Sequence, residues 1–341
     1  MKRVLTLCLC AALLLTGCGR AETPAVEASP EPSAAVTVIQ EPLQLPAVSP
    51  AESAAMASFM AANRALVTGD ALYTLDFDAA LRPVLARYRV TEAGLEDWTV
   101  LADDCVPEYL CEKEGALYWL NAGRLERLTL SDGTRQVLAE GPFGSLQPCQ
   151  GGFYALDDTG SLLRLDETGA MTERLLVGPC DYTYVLGGYL FYQSEAEGGS
   201  LRQRRLCSGE DRRLARGSAY APVLLGGALY FSGDGVFCRA EDADEPRSFD
   251  LPALRGAAEL IPTASGWCAR VALVGTIDQG LLTLTEPVSY APCDYQGYRL
   301  CDFAAEGLRV DAVYEADGRL RCFALCRAEG ELRYFGGRVL P

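Results

Sequence analysis

The chain has 341 residues, with 30 Lys and Arg against 46 Asp and Glu, no histidine, and a formal charge of −16. The acidic balance argues against nucleic acid, or an anionic bilayer gripped by a basic face, as a partner. The missing imidazole excludes Ser-His-Asp and Cys-His catalysis and histidine-bearing metal sites, and with Lys2 and Lys113 as the only lysines the remaining catalytic option is a pair of carboxylates about 5 to 9.5 Å apart.

The first predicted element is a leader. Lys2 and Arg3 precede an apolar run over residues 4–15, which is too short to span a bilayer at about 20 residues and has the length of a signal-peptide core. Leu15-Thr16-Gly17-Cys18 follows and closely resembles the lipobox of bacterial lipoproteins. The resemblance implies removal of residues 1–17, thioether lipidation of Cys18, and acylation of the new amine. The rest of the chain would then stand on the extracytoplasmic side of a membrane of the cell envelope, held by enough acyl chains for stable anchoring.

Residues 18–55 read as a disordered tether rich in Pro, Ala, Glu and Ser. Such a segment buries too little apolar surface to offset its ordering entropy. Within it, the β-branched run "VTVIQ" at 36–40 is either plain tether or a strand that completes the folded part.

Residues 56–341 carry a repeated phrase. Aligned on one aromatic, Tyr73, Tyr118, Tyr154, Phe191 and Tyr230 follow each other at steps of 45, 36, 37 and 39 residues. A period near 40 is a repeat signature. Each unit reads as four short strands: an almost wholly apolar one such as "YAPVLL", the Leu-Tyr strand, a strand alternating apolar with charged residues, and a polar outer strand. Gly and Asp-Gly turns separate them. Four-stranded units of this length are propeller blades. The competing repeats are helical and need Gly-free helices of ten or more residues, which are not expected here. The predicted fold class is thus all-β, a single β-propeller. "SGWCARVALVG" with Trp267 marks a sixth unit and "GLRVDAVYEADGRLRCFALCRAEGELRYFGG" three strands of another. Seven blades are favoured over six, with "CDYQGYRLCDF" the stretch that a long sixth blade would absorb.

One unit resembles a known family. "LYWLNAGRLERLTLSDGTRQVL" is similar to a repeat of the low-density-lipoprotein-receptor type propellers, with Leu117, Tyr118 and Trp119 matching their Leu-Tyr-Trp, Leu120 and Asn121 departing, and Asp132-Gly133 at the turn. The resemblance implies blade geometry and no particular function.

Fourteen cysteines are present. Their spacings make no disulfide framework, most lie in apolar runs, and they read as mostly free thiols. Cys322 and Cys326 would stand about 13 Å apart on one strand, beyond disulfide reach. Acidic runs at Asp76 and Asp78, at Asp103 and Asp104, and at 241–245 are candidate carboxylates by type alone. No stretch has the spacing of a calcium loop, and no metal or cofactor is implied.

The candidate ligand-binding residues are Tyr182, Tyr184, Tyr220, Tyr290, Tyr295 and Tyr298, placed by the strand reading at or just before inner strands. There they either form an aromatic platform for a ligand or pack between blades. The functional expectation is a membrane-anchored binding or scaffold module for an extracytoplasmic protein, peptide or glycan. The alternatives are a carboxylate-dependent polysaccharide hydrolase or lyase, and an accessory subunit of an envelope complex.

Overall fold

The computed structural model describes residues 45–341 except 81, 92–93, 226, 234–235, 241–246, 250–256, 264–265, 274–287, 291–294, 304–308, 317–318, 329–330 and 340–341; beyond residue 233 it describes backbone alone. The leader, Cys18, residues 36–40 and the acidic run at 241–245 lie outside the described residues.

Among the described residues, seven sheets follow one another along the chain. The first holds β1 (Ala65–Thr68), β2 (Ala71–Phe77), β3 (Pro83–Thr91) and β4 (Gly94–Asp103). The second holds β5 (Pro107–Lys113), β6 (Ala116–Asn121), β7 (Arg124–Thr129) and β8 (Arg135–Ala139). The third runs through β9 (Ser145–Cys149), β10 (Gly152–Leu156), β11 (Leu162–Asp166) and β12 (Met171–Leu176). The fourth has β13 (Cys180–Leu186), β14 (Tyr189–Ser194), β15 (Ser200–Arg205) and β16 (Asp211–Ala215). The fifth has β17 (Tyr220–Leu225), β18 (Ala228–Gly233), β19 (Val236–Ala240) and β20 (Arg247–Phe249). Each of these five is an antiparallel meander in chain order, and together with the last two they make a β-propeller.

The sixth sheet, β21 (Ala257–Thr263), β22 (Gly266–Leu273), β23 (Val288–Tyr290) and β24 (Tyr295–Phe303), departs from that pattern. Its order is β21-β22-β24-β23, with β22 and β24 parallel. The stretch "CDYQGYRLCDF" therefore belongs largely to this blade, and Trp267 stands on its second strand. The seventh has three strands, β25 (Arg309–Ala316), β26 (Arg319–Ala328) and β27 (Glu331–Val339). Cys322 and Cys326 share β26, as their spacing predicts. The last sheet returns to the first, with β25 near β1 and β27 near β4, which closes the ring.

The repeated aromatic occupies the second strand of all five blades in which it was read. Tyr73, Tyr118, Phe191 and Tyr230 are buried and Tyr154 is half-buried. Alternation along a strand sends neighbours to opposite faces, and the inter-blade clusters follow from it. Tyr73 joins Leu117 and Trp119 of the next blade. Tyr118 meets Phe153, ring centroids 4.9 Å apart. Tyr154 lies against Leu190 and Tyr192, and Phe191 against Leu229 and Phe231. Across the ladder, Tyr73, Tyr118, Tyr154 and Tyr230 each face an arginine of the third strand, Arg87, Arg127, Arg164 and Arg239. The Arg127 guanidinium lies 5.9 Å from the Tyr118 ring centroid, within reach of a cation–π attraction. The third strands are not uniformly wet on one side, however. Glu126 of β7 is buried and held by Arg124 at 3.3 Å, Arg135 at 2.7 Å and the Asn121 amide at 3.0 Å. Burial of a carboxylate is tolerable only with such partners.

Backbone ties link successive blades. The N–H of Phe143, Cys180 and Ala219, each entering a new blade, donates to the carbonyl of Gly123, Gly160 and Gly199 in the turn between second and third strands of the blade before. At Gly160 the reason for glycine is visible: φ is +70°, and a Cβ there would sit 2.8 Å from the Cys180 nitrogen. The recurrent glycine that closes the repeated phrase is a crossing point for the incoming strand.

A helix is present where none was expected. α1 (Pro50–Met60) begins inside the predicted tether. Ser49 and Glu52 form a reciprocal capping box, with Pro50 at the first helical position, and this combination starts helices well. After Glu52 the helix has no charge, and Ser53, Met56, Ala57, Phe59 and Met60 are buried. A charge-free stretch of this kind favours an interior, and only Ala51, Glu52 and Ala55 of the described positions stay exposed. It packs against β17 and β21, and Phe59 meets Tyr109 of β5 at 5.0 Å and Tyr184 of β13 at 5.1 Å. These are the innermost strands of the second, fourth, fifth and sixth blades, on opposite sides of the ring, so α1 lies in the central channel. Residues 50–55 belong to the folded domain.

Candidate functional site

The inner strands of the second, fourth and fifth blades share one irregularity. Register slips between Glu108 and Cys111, between Asp181 and Tyr184, and between Tyr220 and Val223. Each is a β-bulge, with an extra residue that re-aims a side chain. The residues concerned, Tyr109, Tyr182 and Ala221, have φ of +53°, +46° and +46°. A left-handed conformation is unfavourable for a residue with a Cβ, and it persists where packing over-determines it. All three side chains join the cluster around α1. The bulges thus turn these three side chains onto the channel helix.

The bulges lie near the starts of the inner strands and mark one mouth of the channel. There the C-terminal end of α1 is pinned: Asn63 donates from its amide to the Leu110 carbonyl at 2.6 Å and accepts from the Leu110 N–H at 3.0 Å. Arg64 pairs with Glu108 at 2.5 Å. The chain reaches α1 from the other mouth, where Pro46 crowds the β13–β14 turn so closely that a Cβ on Gly187 would lie 2.7 Å from it.

The six candidate tyrosines do not converge. Tyr182 and Tyr220 meet edge-on across two blades at the first mouth, centroids 5.9 Å apart at 78°. Tyr220 is 42% exposed and Tyr182 half-buried. Tyr184 lies within the channel against Phe59, and burial, with Glu52 adding a smaller effect, pushes its hydroxyl up to about 12; it is a packing residue. Tyr290 and Tyr295 face each other in register, and Tyr298 stands opposite Cys268. Their strands β23 and β24 are the outer two of the sixth sheet, so these tyrosines are not at an inner strand, and their side chains lie outside the described residues. The displacement comes from the parallel insertion of β24 beside β22, which local periodicity does not reveal.

Two mouth residues were missed by sequence reasoning. Tyr109 occupies in the second blade the place Tyr182 has in the fourth, and burial pushes its hydroxyl pKa up, with Asp181 and Glu108 adding to the rise. Asp181 is exposed, and its carboxylate accepts from the Tyr182 N–H at 2.7 Å. The signal was available in the paired dipeptides Glu108-Tyr109 and Asp181-Tyr182, an acid before a tyrosine near the start of an inner strand.

The candidate carboxylates have local duties. Asp76 is buried and accepts from the Tyr88 hydroxyl and, at 2.8 Å, from the Trp98 indole of its own blade. Asp78 closes the β2–β3 turn, accepting from the N–H groups of Ala80 and Arg82 at 2.8 and 2.9 Å; the Arg82 hydrogen bonds hold its carboxyl below the usual range. Asp103 and Asp104 are exposed. Among the described residues no cluster of three or more Cys, Asp or Glu could hold a metal ion, and the described cysteines Cys105, Cys111, Cys149, Cys180 and Cys207 are all free.

No family model matches this chain, and no curated protein is similar to it in sequence. Solved structures are similar to it in fold. The AfRom2 CNH domain superposes with a TM-score of 0.50 at 8% identity, over 82% of this chain and 94% of that one. A Mycobacterium tuberculosis puromycin-hydrolyzing peptidase gives a TM-score of 0.46 at 16% identity; 83% of this chain is covered, which spans 55% of the peptidase. BamB from Moraxella catarrhalis gives 0.42 at 15% identity, over 61% and 68% of the two chains. At such identities the likeness is one of fold alone, and it accords with the seven-sheet propeller described above.

Proposed function

We propose that this protein is a lipid-anchored binding or scaffold module that holds an extracytoplasmic partner at the Tyr182–Tyr220 mouth of its propeller. The observation that carries the reading is the aromatic pair bridging two blades, with Tyr220 open to solvent. With α1 lying in the channel, the mouth is the surface offered to a partner. Exposed aromatics on a rigid scaffold are favourable anchors for recognition. The anchor itself rests on Leu15-Thr16-Gly17-Cys18.

Two measurements test this. Cys18→Ala should abolish incorporation of a fatty-acid probe; unchanged labelling overturns the anchor. A photo-crosslinking amino acid at position 220 should capture a partner in intact cells, whereas one at Glu210, on the opposite mouth, should not. Equal capture from both positions, or from neither, overturns the mouth.

A further inference from the structure

The mouth also carries a chemical preference, and the inference rests on the reading of it as the binding surface. We propose that its occupant is a basic segment of polypeptide, with an Arg or Lys side chain laid on the exposed ring of Tyr220 and paired with Asp181.

Exposed apolar side chains are sorted by place. Trp98, Val137 and Met171 lie on the outermost strands β4, β8 and β12, whereas Val177, 73% exposed, and Tyr220 lie where the chain enters the fourth and fifth blades. Asp181 stands between these two in sequence, next to the Tyr182 ring that meets Tyr220. Among the described residues it has no ion pair and one hydrogen bond, from the Tyr182 N–H. The described bases nearby are engaged: Arg64 holds Glu108, Arg202 holds Glu197 at 2.6 Å and Asp211 at 2.9 Å, and Arg216, in the connection before Tyr220, is also engaged. Asp181 thus leaves a negative charge beside the Tyr182–Tyr220 pair with which no described base pairs. Buried groups there register it. The Cys180 thiol is pushed up first by burial and further by Asp211, Glu195 and Asp181.

An aromatic face beside an unpaired carboxylate attracts a cation twice, through the ring quadrupole and through charge. A neutral sugar would gain from the ring alone. An anionic polymer or an anionic lipid surface would be repelled. Charge complementarity thus selects a basic segment over the other occupants.

The test uses the full chain in detergent and a fluorescein-labelled hexa-arginine peptide, with hexa-glutamate and a neutral chito-oligosaccharide as comparisons. At about 150 mM salt, where long-range attraction is screened, hexa-arginine should bind and hexa-glutamate should not. Tyr220→Ala should weaken binding about tenfold and Asp181→Asn about fivefold, in line with a partly desolvated cation–π contact and a single ion pair. Asn keeps the oxygen that accepts from Tyr182, so its effect reads charge and not folding. Asp132→Asn and Glu210→Gln neutralise acids at the opposite mouth and should leave affinity unchanged. Equal weakening by both sets would mean unspecific attraction and overturn the proposal, as would no binding of hexa-arginine. If the sugar binds through Tyr220 while hexa-arginine does not, the basic segment is overturned and the mouth stands. If neither binds and position 220 captures nothing in cells, the mouth itself fails.

Discussion

Phe59 of the channel helix meets Tyr184 of the fourth blade edge-to-face, ring centroids 5.1 Å apart at 64°. Both are buried, at 7% exposure each. The pair joins a segment of tether-like composition to the inner wall of the propeller. Phe59→Ala should lower stability by about 3 to 5 kcal/mol, the range for truncating a buried aromatic. Because each blade touches its neighbours, the loss should appear as one shifted cooperative transition. Urea unfolding followed by tryptophan fluorescence measures it; an unshifted midpoint would mean that α1 does not stabilise the ring.

The repeated aromatic and the mouth aromatic should behave differently. Tyr118→Ala removes the contact with Phe153 and is expected to destabilise by about 3 to 5 kcal/mol. Tyr220→Ala removes a side chain that is 42% exposed and touches Tyr182, and should change stability by about 1 kcal/mol or less. Thermal denaturation of the two variants, side by side, separates a packing role from a surface role.

The glycine crossing can be isolated. Gly151 and Gly160 have φ of +74° and +70°, but a Cβ at Gly151 meets nothing within 4 Å, whereas one at Gly160 meets the Cys180 backbone at 2.8 Å. Gly151→Ala should cost about 1 to 2 kcal/mol, the left-handed penalty alone. Gly160→Ala should cost more, since the incoming strand must also shift. Equal losses in equilibrium unfolding would remove the crossing as the reason for the repeated glycine.

Alkaline pH should unfold the protein through its buried thiols and phenols. Burial pushes Cys105 up from 9.0 to about 12, Cys180 to about 11, and Tyr184 from 10.0 to about 12. Each group keeps its proton in the folded chain at pH values where the unfolded chain has released it. The unfolded state then binds fewer protons, so stability falls as pH rises. The stabilisation is complete below pH 9 and is lost between pH 9 and 12. Cys105→Ala should make that decline shallower. At pH 8 a thiol reagent should label exposed Cys207 quickly and Cys105 only on unfolding; fast labelling of Cys105 in the native protein would contradict its burial.

What was legible in the sequence was whatever the chain repeats. Tyr73, Tyr118, Tyr154, Phe191 and Tyr230 recur because each fills the same gap to the next blade, and a local strand pattern written several times survives any one irregular copy. The turns were legible for the same reason, since hydrogen bonds close to the chain decide them. Tertiary structure alone decided three other features. The stretch "PAESAAMASFM" shows no stripe of apolar residues, because two of its exposed positions, Ala51 and Ala55, carry alanine, and only packing against blades drawn from residues 107 to 263 decides which side is buried. The bulges at Tyr109 and Tyr182 turn both side chains onto that helix, a contact their own strands do not announce. The exile of Tyr290, Tyr295 and Tyr298 from the inner ring follows from the parallel pairing of β22 with β24. Each is a contact between parts of the chain far apart in sequence, and such contacts leave no period for a sequence to display.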